Sequence, residues 1–166
     1  MSIEIILSIM DRLEKMHKSL LKLAYNKTEF IKTGDMDGLN QLLKDEQSHV
    51  AAITQLELQR QQKVTDYLEA KGIAHAEHAT VAQVMEVANN PEEHFKLDEA
   101  RKKLLLAIET LKHQNDLNQK IIFQSLQFVN LTLDMLRPRP DQINYSSNNA
   151  RGSNNSKENT YFDSQA

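Results

Sequence analysis

The chain has 166 residues, 40 % hydrophobic and 5 % aromatic with no Trp, a net charge of -3 at pH 7 and a mean hydropathy of -0.57. That is enough chain for one soluble domain with a real core, and its interspersed charges offer no basic surface for nucleic acid. The absence of Cys excludes disulfides, thiolate metal sites and Cys nucleophiles. No segment reaches the roughly 20 apolar residues of a membrane span, and Glu4 stands where a secretory signal wants a basic residue, so a cytoplasmic protein is expected.

The first helix is predicted over residues 2–33. Ile6, Ile9, Leu13, Met16, Leu20, Leu23, Lys27 and Phe30 alternate three and four apart, a heptad seam broken by one Lys. Gly34 suits the left-handed position after a helix and Asp35 the N-cap of the next, so the break is short and the second helix turns back antiparallel. That helix is predicted over residues 36–71, closing at Gly72. Its seam reads Leu39, Leu43, Glu46, Val50, Ile53, Glu57, Arg60, Val64 and Tyr67, apolar at first and mixed later, with Glu57 and Arg60 spaced to pair.

A short third helix is predicted over residues 80–88, where Thr80 and Gln83 resemble a capping box before Val81, Val84, Met85 and Val87. Asn90 as N-cap, Pro91 at the first helical position and Glu92 and Glu93 behind it restart the chain strongly. The last helix meets no breaker before Pro138, so it should cover residues 91–137, roughly 70 Å against about 50 Å for the first two. Part of it must overhang or be covered by something else. Residues 138–166 are dominated by Asn, Ser and Gln and should form a disordered tail. The expected fold is all-α: an elongated antiparallel helical bundle or coiled coil of three long helices and one short one over residues 1–137, followed by that tail.

Catalytic chemistry finds little support. Glu14/His17 and Glu46/His49 have the Glu-x-x-His spacing of di-metal helical sites. Glu14, however, lies about 130° from the centre of the first helix's seam, where a core ligand could not sit. His75 and His78 lack a third ligand, and the chain has no Gly-rich phosphate loop and no nucleophile elbow. No enzyme, metal or cofactor is expected.

The unusual stretch is residues 121–136, where ten of 16 positions are large and apolar and Asp134 is the single charge. At 100° per residue, Ile122, Leu126, Val129, Leu133 and Leu136 make one line, the one a core would bury. Ile121, Phe128, Leu131 and Met135 make a second line on roughly the opposite side, which the fold does not need. Just before the stretch, Asn115 and Asn118 replace two seam residues. They are either buried amides that fix register or one partly solvated turn where the bundle loosens.

Several of these segments resemble the FlgN-type flagellar export chaperones. The hairpin carries Leu20-Leu21, Lys27-Thr28-Glu29, Gly34-Asp35, Leu39, Leu42-Leu43, Glu46-Gln47, then Glu57 and Arg60; the last helix carries Asn115 and Asn118, Ile121-Ile122, Ser125-Leu126 and Phe128-Val129. The likeness covers most of residues 13–136, and residues 72–90 match nothing in it. It implies a cytoplasmic chaperone of the hook-associated proteins FlgK and FlgL, holding terminal helices of unassembled subunits and delivering them to the type III export gate. In such proteins client binding maps to the C-terminal part. The expected client contacts are Asn118, Ile121, Phe123, Phe128, Leu131 and Met135. Tyr161, Phe162 and Asp163 are candidate contacts to the export gate or ATPase complex. The competing reading is a structural or signalling bundle that homodimerises through the same face. The sequence leaves the oligomeric state open, and the Gln and Asn residues within 121–136 argue against membrane insertion.

Overall fold

The computed structural model describes residues 3–73, 79–88 and 90–137. All regular structure among them is helical: α1 (Ile3–Thr33), α2 (Met36–Ala70), α3 (Val81–Val87) and α4 (Pro91–Leu136). The expected stop and start signals appear as caps. Gly34 takes a positive φ of 71°, and the Asp35 carboxylate accepts the Gly38 backbone N–H at 2.9 Å to open α2. Gly38 leaves room for its neighbours. A Cβ there would meet the Phe30 ring at 2.8 Å and the Asp35 carboxylate at 2.6 Å, so a larger residue would have to displace the ring and the cap. Thr80 and Gln83 exchange both bonds of a capping box, with Thr80 N–H donating to Gln83 Oε1 at 2.9 Å and Gln83 N–H donating to Thr80 Oγ1 at 3.3 Å. Asn90 Oδ1 accepts the Glu92 N–H at 3.0 Å to start α4.

α1 is the central element, packed against α2 on one side and α4 on the other, while the backbones of α2 and α4 do not approach each other. α2 returns antiparallel to α1. α4 runs parallel to α1, because Ala24 and Thr28 meet Asn118 while Leu7 and Asp11 share a surface groove with Phe95 and Lys96. α3 bridges α2 and α4 at the end that holds the start of α1.

That end contains the core. Ile6, Met10 and Leu13 of α1 close against Val64, Tyr67 and Leu68 of α2, Val81 and Val84 of α3, and Leu97 and Leu104 of α4. Leu13, Val64, Val84 and Leu97 are completely buried, one from each helix. Toward the hairpin the packing thins. Met16, Leu20, Leu23 and Phe30 are only half-buried, and polar links between helices take over. Ser19 Oγ meets His49 Nε2 at 2.8 Å, and Lys27 meets Glu46 at 2.7 Å across the α1–α2 pair, each side chain 17 % exposed.

The α2 seam differs from the one expected. Leu43 and Val50 are exposed, whereas Leu42, Leu56 and Leu68 are buried. In the hairpin half α2 has one neighbour, so its contacting face rotates toward α1 and leaves Leu43 and Val50 on the side where a further helix would be needed.

Candidate functional site

Residues 121–136 form the end of α4, and their position is set by a buried polar cluster one turn earlier. Asn118 is 2 % exposed; its Nδ2 donates to the Ala24 carbonyl at 2.8 Å, and its Oδ1 accepts from the Thr28 hydroxyl at 2.5 Å. Gln114 Nε2 donates to the same Thr28 oxygen at 2.9 Å. Of the two readings of the Asn pair, the buried amide that fixes register is the one found for Asn118, while Asn115 is half-buried. Asn118 is therefore a structural clamp. The expectation that it touches a client is corrected, because both ends of its amide are occupied inside the α1–α4 contact.

The clamp puts Thr28 level with residues 114–118. At that register α1 ends near residue 125 of α4, and about ten residues, or 15 Å, project past the hairpin. The consequence reaches both apolar lines. On the outer line Phe128 is 70 %, Leu131 60 % and Met135 78 % exposed, and Ile121 is half-buried. The line expected to enter the core is also open: Leu126 is 57 %, Leu133 52 % and Leu136 74 % exposed. That expectation is overturned because α1 and α2 turn at Gly34 and α3 sits at the far end, so no element of the described chain reaches this level. Phe123, 61 % exposed, lies about 120° around the helix from the outer line and cannot share one straight contact with it. The result is a helix end wetted all round, with nine large apolar side chains from Ile122 to Leu136 on an otherwise uncharged turn-by-turn surface except for Asp134. Isolated exposed apolar residues are ordinary, whereas contiguous sets of this size are the kind of surface on which protein interaction sites are found.

The metal-like spacings do not assemble. Glu14 is held by Lys18 at 2.6 Å with its side chain 14 % exposed, so it does not point to open water as expected; α4 covers that side of α1. Glu46 is paired with Lys27, and His49 caps Ser19. No group of three or more His, Asp or Glu that could hold a metal occurs among the described residues. His75, His78 and the Tyr161, Phe162, Asp163 set lie outside the described residues, as does the proposed tail. The resolved titration shifts belong to surface pairs: hydrogen bonds from Lys63, Lys96 and Lys102 hold the carboxyls of Asp66, Glu92 and Asp98 below their ordinary range. Among the described residues no helix is long and apolar enough to cross a membrane.

Sequence reasoning missed Thr28 and Gln114 as partners of Asn118, and Gly38 as a contact of Phe30. The signal for the first was present, since Thr28 and Gln114 stand beside seam positions of two helices that share one register.

A sequence profile of the family described as FlgN protein matches residues 1–153 of this chain. The chain belongs to the FlgN family. A relative in Bacillus subtilis (strain 168), described as uncharacterized protein YvyG, is 30 % identical over 166 residues and covers all of both chains. No solved structure matches. FlgN proteins are flagellar export chaperones of hook-associated clients. The structure also explains what the FlgN-like motifs do here. Lys27 pairs with Glu46, Thr28 with Asn118, Glu57 with Arg60 at 2.7 Å, and Gly34-Asp35 makes the turn. The motifs fasten the frame, and the apolar end of α4 is what the frame presents.

Proposed function

We propose that this FlgN-family protein is a cytoplasmic chaperone of FlgK and FlgL that shields a terminal helix of the unassembled subunit and carries it to the export gate. The observation that carries this reading is the uncovered end of α4. A client helix packed along Ile121, Phe128, Leu131 and Met135, with Phe123 flanking, removes apolar surface from water on both partners. Burying several hundred Å² at about 25 cal/mol per Å² gives a gross gain of several kcal/mol, reduced by the ordering of both partners. The result is a reversible complex, which suits a carrier that must release its load.

The test is client binding by titration calorimetry with FlgK and FlgL of the same organism. Joint replacement of Phe128 and Leu131 by Glu is expected to abolish binding while helicity by circular dichroism is kept; unchanged binding overturns this assignment. In the same reading Tyr161, Phe162 and Asp163 contact the export gate or its ATPase complex, and removal of residues 155–166 should weaken gate binding with client affinity intact. The exposure of the second line, Leu126 to Leu136, favours one competing reading, a homodimer through this face. Sedimentation of the protein alone separates the two: a monomer that joins added client supports the chaperone, and a tight dimer supports the alternative.

A further inference from the structure

α3 shows that the space between α2 and α4 is a helix seat. Its Val81 and Val84 are buried on a floor made by α1, and it touches both walls. It is also only 7 residues long and fills only the end away from the hairpin. At its first turn the seat continues as an open groove of about 350 Å³, with Met10 as floor, Glu57 and Arg60 on the α2 wall, and Arg101, Leu105 and Ile108 on the α4 wall.

The helical repeat extends both walls toward the hairpin. Val50 and Leu43 lie two and four turns before Glu57 on the same face of α2, and Leu126 lies five turns beyond Ile108 on the same face of α4. All of them are exposed: Val50 53 %, Leu43 41 %, Leu105 45 %, Ile108 36 % and Leu126 57 %. This is the side of α2 left without a neighbour, and the line of α4 that a core should have buried. From Ile108 to the level of residue 125, where α1 ends, the two walls run on for about 26 Å, the length of a helix of about 17 to 18 residues; Lys112, Asn115 and Gln119 stand on the α4 wall between, and Leu126 lies just past its mouth.

We propose that this groove seats one amphipathic helix of the client, which completes the bundle end to end with α3 as a fourth helix over α1. The proposal rests on the chaperone reading above and adds a second contact to it, on the opposite side of α4 from Phe128 and Leu131. Three features select this occupant. The rims carry both signs, Arg101 and Lys112 on α4 and Glu57 on α2, so an apolar face rather than net charge is recognised. The chain's own residues 138–166 contain Ile143, Tyr145, Tyr161 and Phe162 as their large apolar side chains, too few for the face of an 18-residue helix. A second copy could offer its projecting end of α4, but at about ten residues that covers about half of the groove.

The chain has no Cys, so Val50→Cys gives a single site for a polarity-sensitive fluorophore on the full-length protein. Saturating FlgK or FlgL should shift its emission to the blue. Joint replacement of Val50 and Leu105 by Glu should weaken client binding at least tenfold with an unchanged melting midpoint; if that variant folds poorly, the Ala pair should weaken binding severalfold. Wild-type affinity in these groove variants, alongside lost binding in the Phe128 and Leu131 double variant, overturns the groove and leaves the chaperone reading standing. Failure of the wild-type protein to bind either client overturns the chaperone reading, and the groove assignment with it. A label that is already shielded without client overturns the proposal as well. Shielding relieved by dilution assigns the groove to a second copy, and shielding relieved by truncation after Arg137 assigns it to the chain's own end.

Discussion

The two ends of α4 are made of similar residues in opposite circumstances. Leu97 and Leu104, near its start, are 0 % and 8 % exposed because α1 and α3 pack on that part of α4; Leu133 and Leu136, near its end, are 52 % and 74 % exposed because every neighbour has already turned back. Burial therefore follows the lengths of the neighbouring helices as much as the polarity of the residues. A helix of 46 residues beside one of 31 must leave part of itself uncovered, and the Asn118 clamp decides which part.

That comparison is most easily broken by truncating side chains at the two ends. Leu97→Ala is expected to cost about 2 to 5 kcal/mol, measured by urea unfolding, whereas Leu133→Ala should change stability by less than about 0.5 kcal/mol. Similar losses at both positions would show that the end of α4 is packed in solution. Asn118→Ala comes next. It removes the amide's bonds to the Ala24 carbonyl and the Thr28 hydroxyl, which keep each other and Gln114 as partners, and at about 0.5 to 1.5 kcal/mol per bond should cost about 1 to 3 kcal/mol in the same measurement. Asn118→Leu should recover part of this loss while loosening the α1–α4 register, detectable as more than one distance between spin labels on Tyr25 and Gln119. Gly38→Ala should cost about 1 to 3 kcal/mol by forcing the Phe30 ring and the Asp35 cap apart, seen as a lower melting midpoint without loss of helix content at 20 °C. A Lys27→Met, Glu46→Met cycle should give a coupling of about 1 kcal/mol at neutral pH.

The smallest effect belongs to the surface pairs at the covered end. Lys96 and Lys102 hold Glu92 and Asp98 below their ordinary carboxylate range. Stabilisation from such a depressed acid is present above its unfolded-state value and is lost as pH falls through the folded one. Glu92→Gln should thus lower the melting midpoint at pH 7 slightly, and the difference from the parent protein should vanish on acidification through the carboxylate range.

Much of the frame could be read before the structure. The helix stops at Gly34 and Gly72, the capping box at Thr80 and the Asn90-Pro91 restart are local signals whose bonds span two to four residues, so the sequence holds both partners. The same locality gave the Glu57–Arg60 pair. The candidate site was half legible. The two apolar lines of α4 follow from helical geometry, yet their common exposure does not, because it depends on where α1 and α2 end relative to α4. The α2 seam erred for the same reason: Leu42 and Leu43 are equally apolar, and the number of neighbours decided which one is covered.

By itself the sequence determined an all-α chain, its turn positions, the absence of cysteine chemistry and membership of the FlgN family, since these rest on composition, local bonding and motif order. Tertiary structure alone decided that Asn118 is a clamp, that the groove beside α3 stays open and that the last turns of α4 stand free. Each of these is set by contacts between residues up to 94 positions apart, and no periodicity within a single helix encodes the register between two.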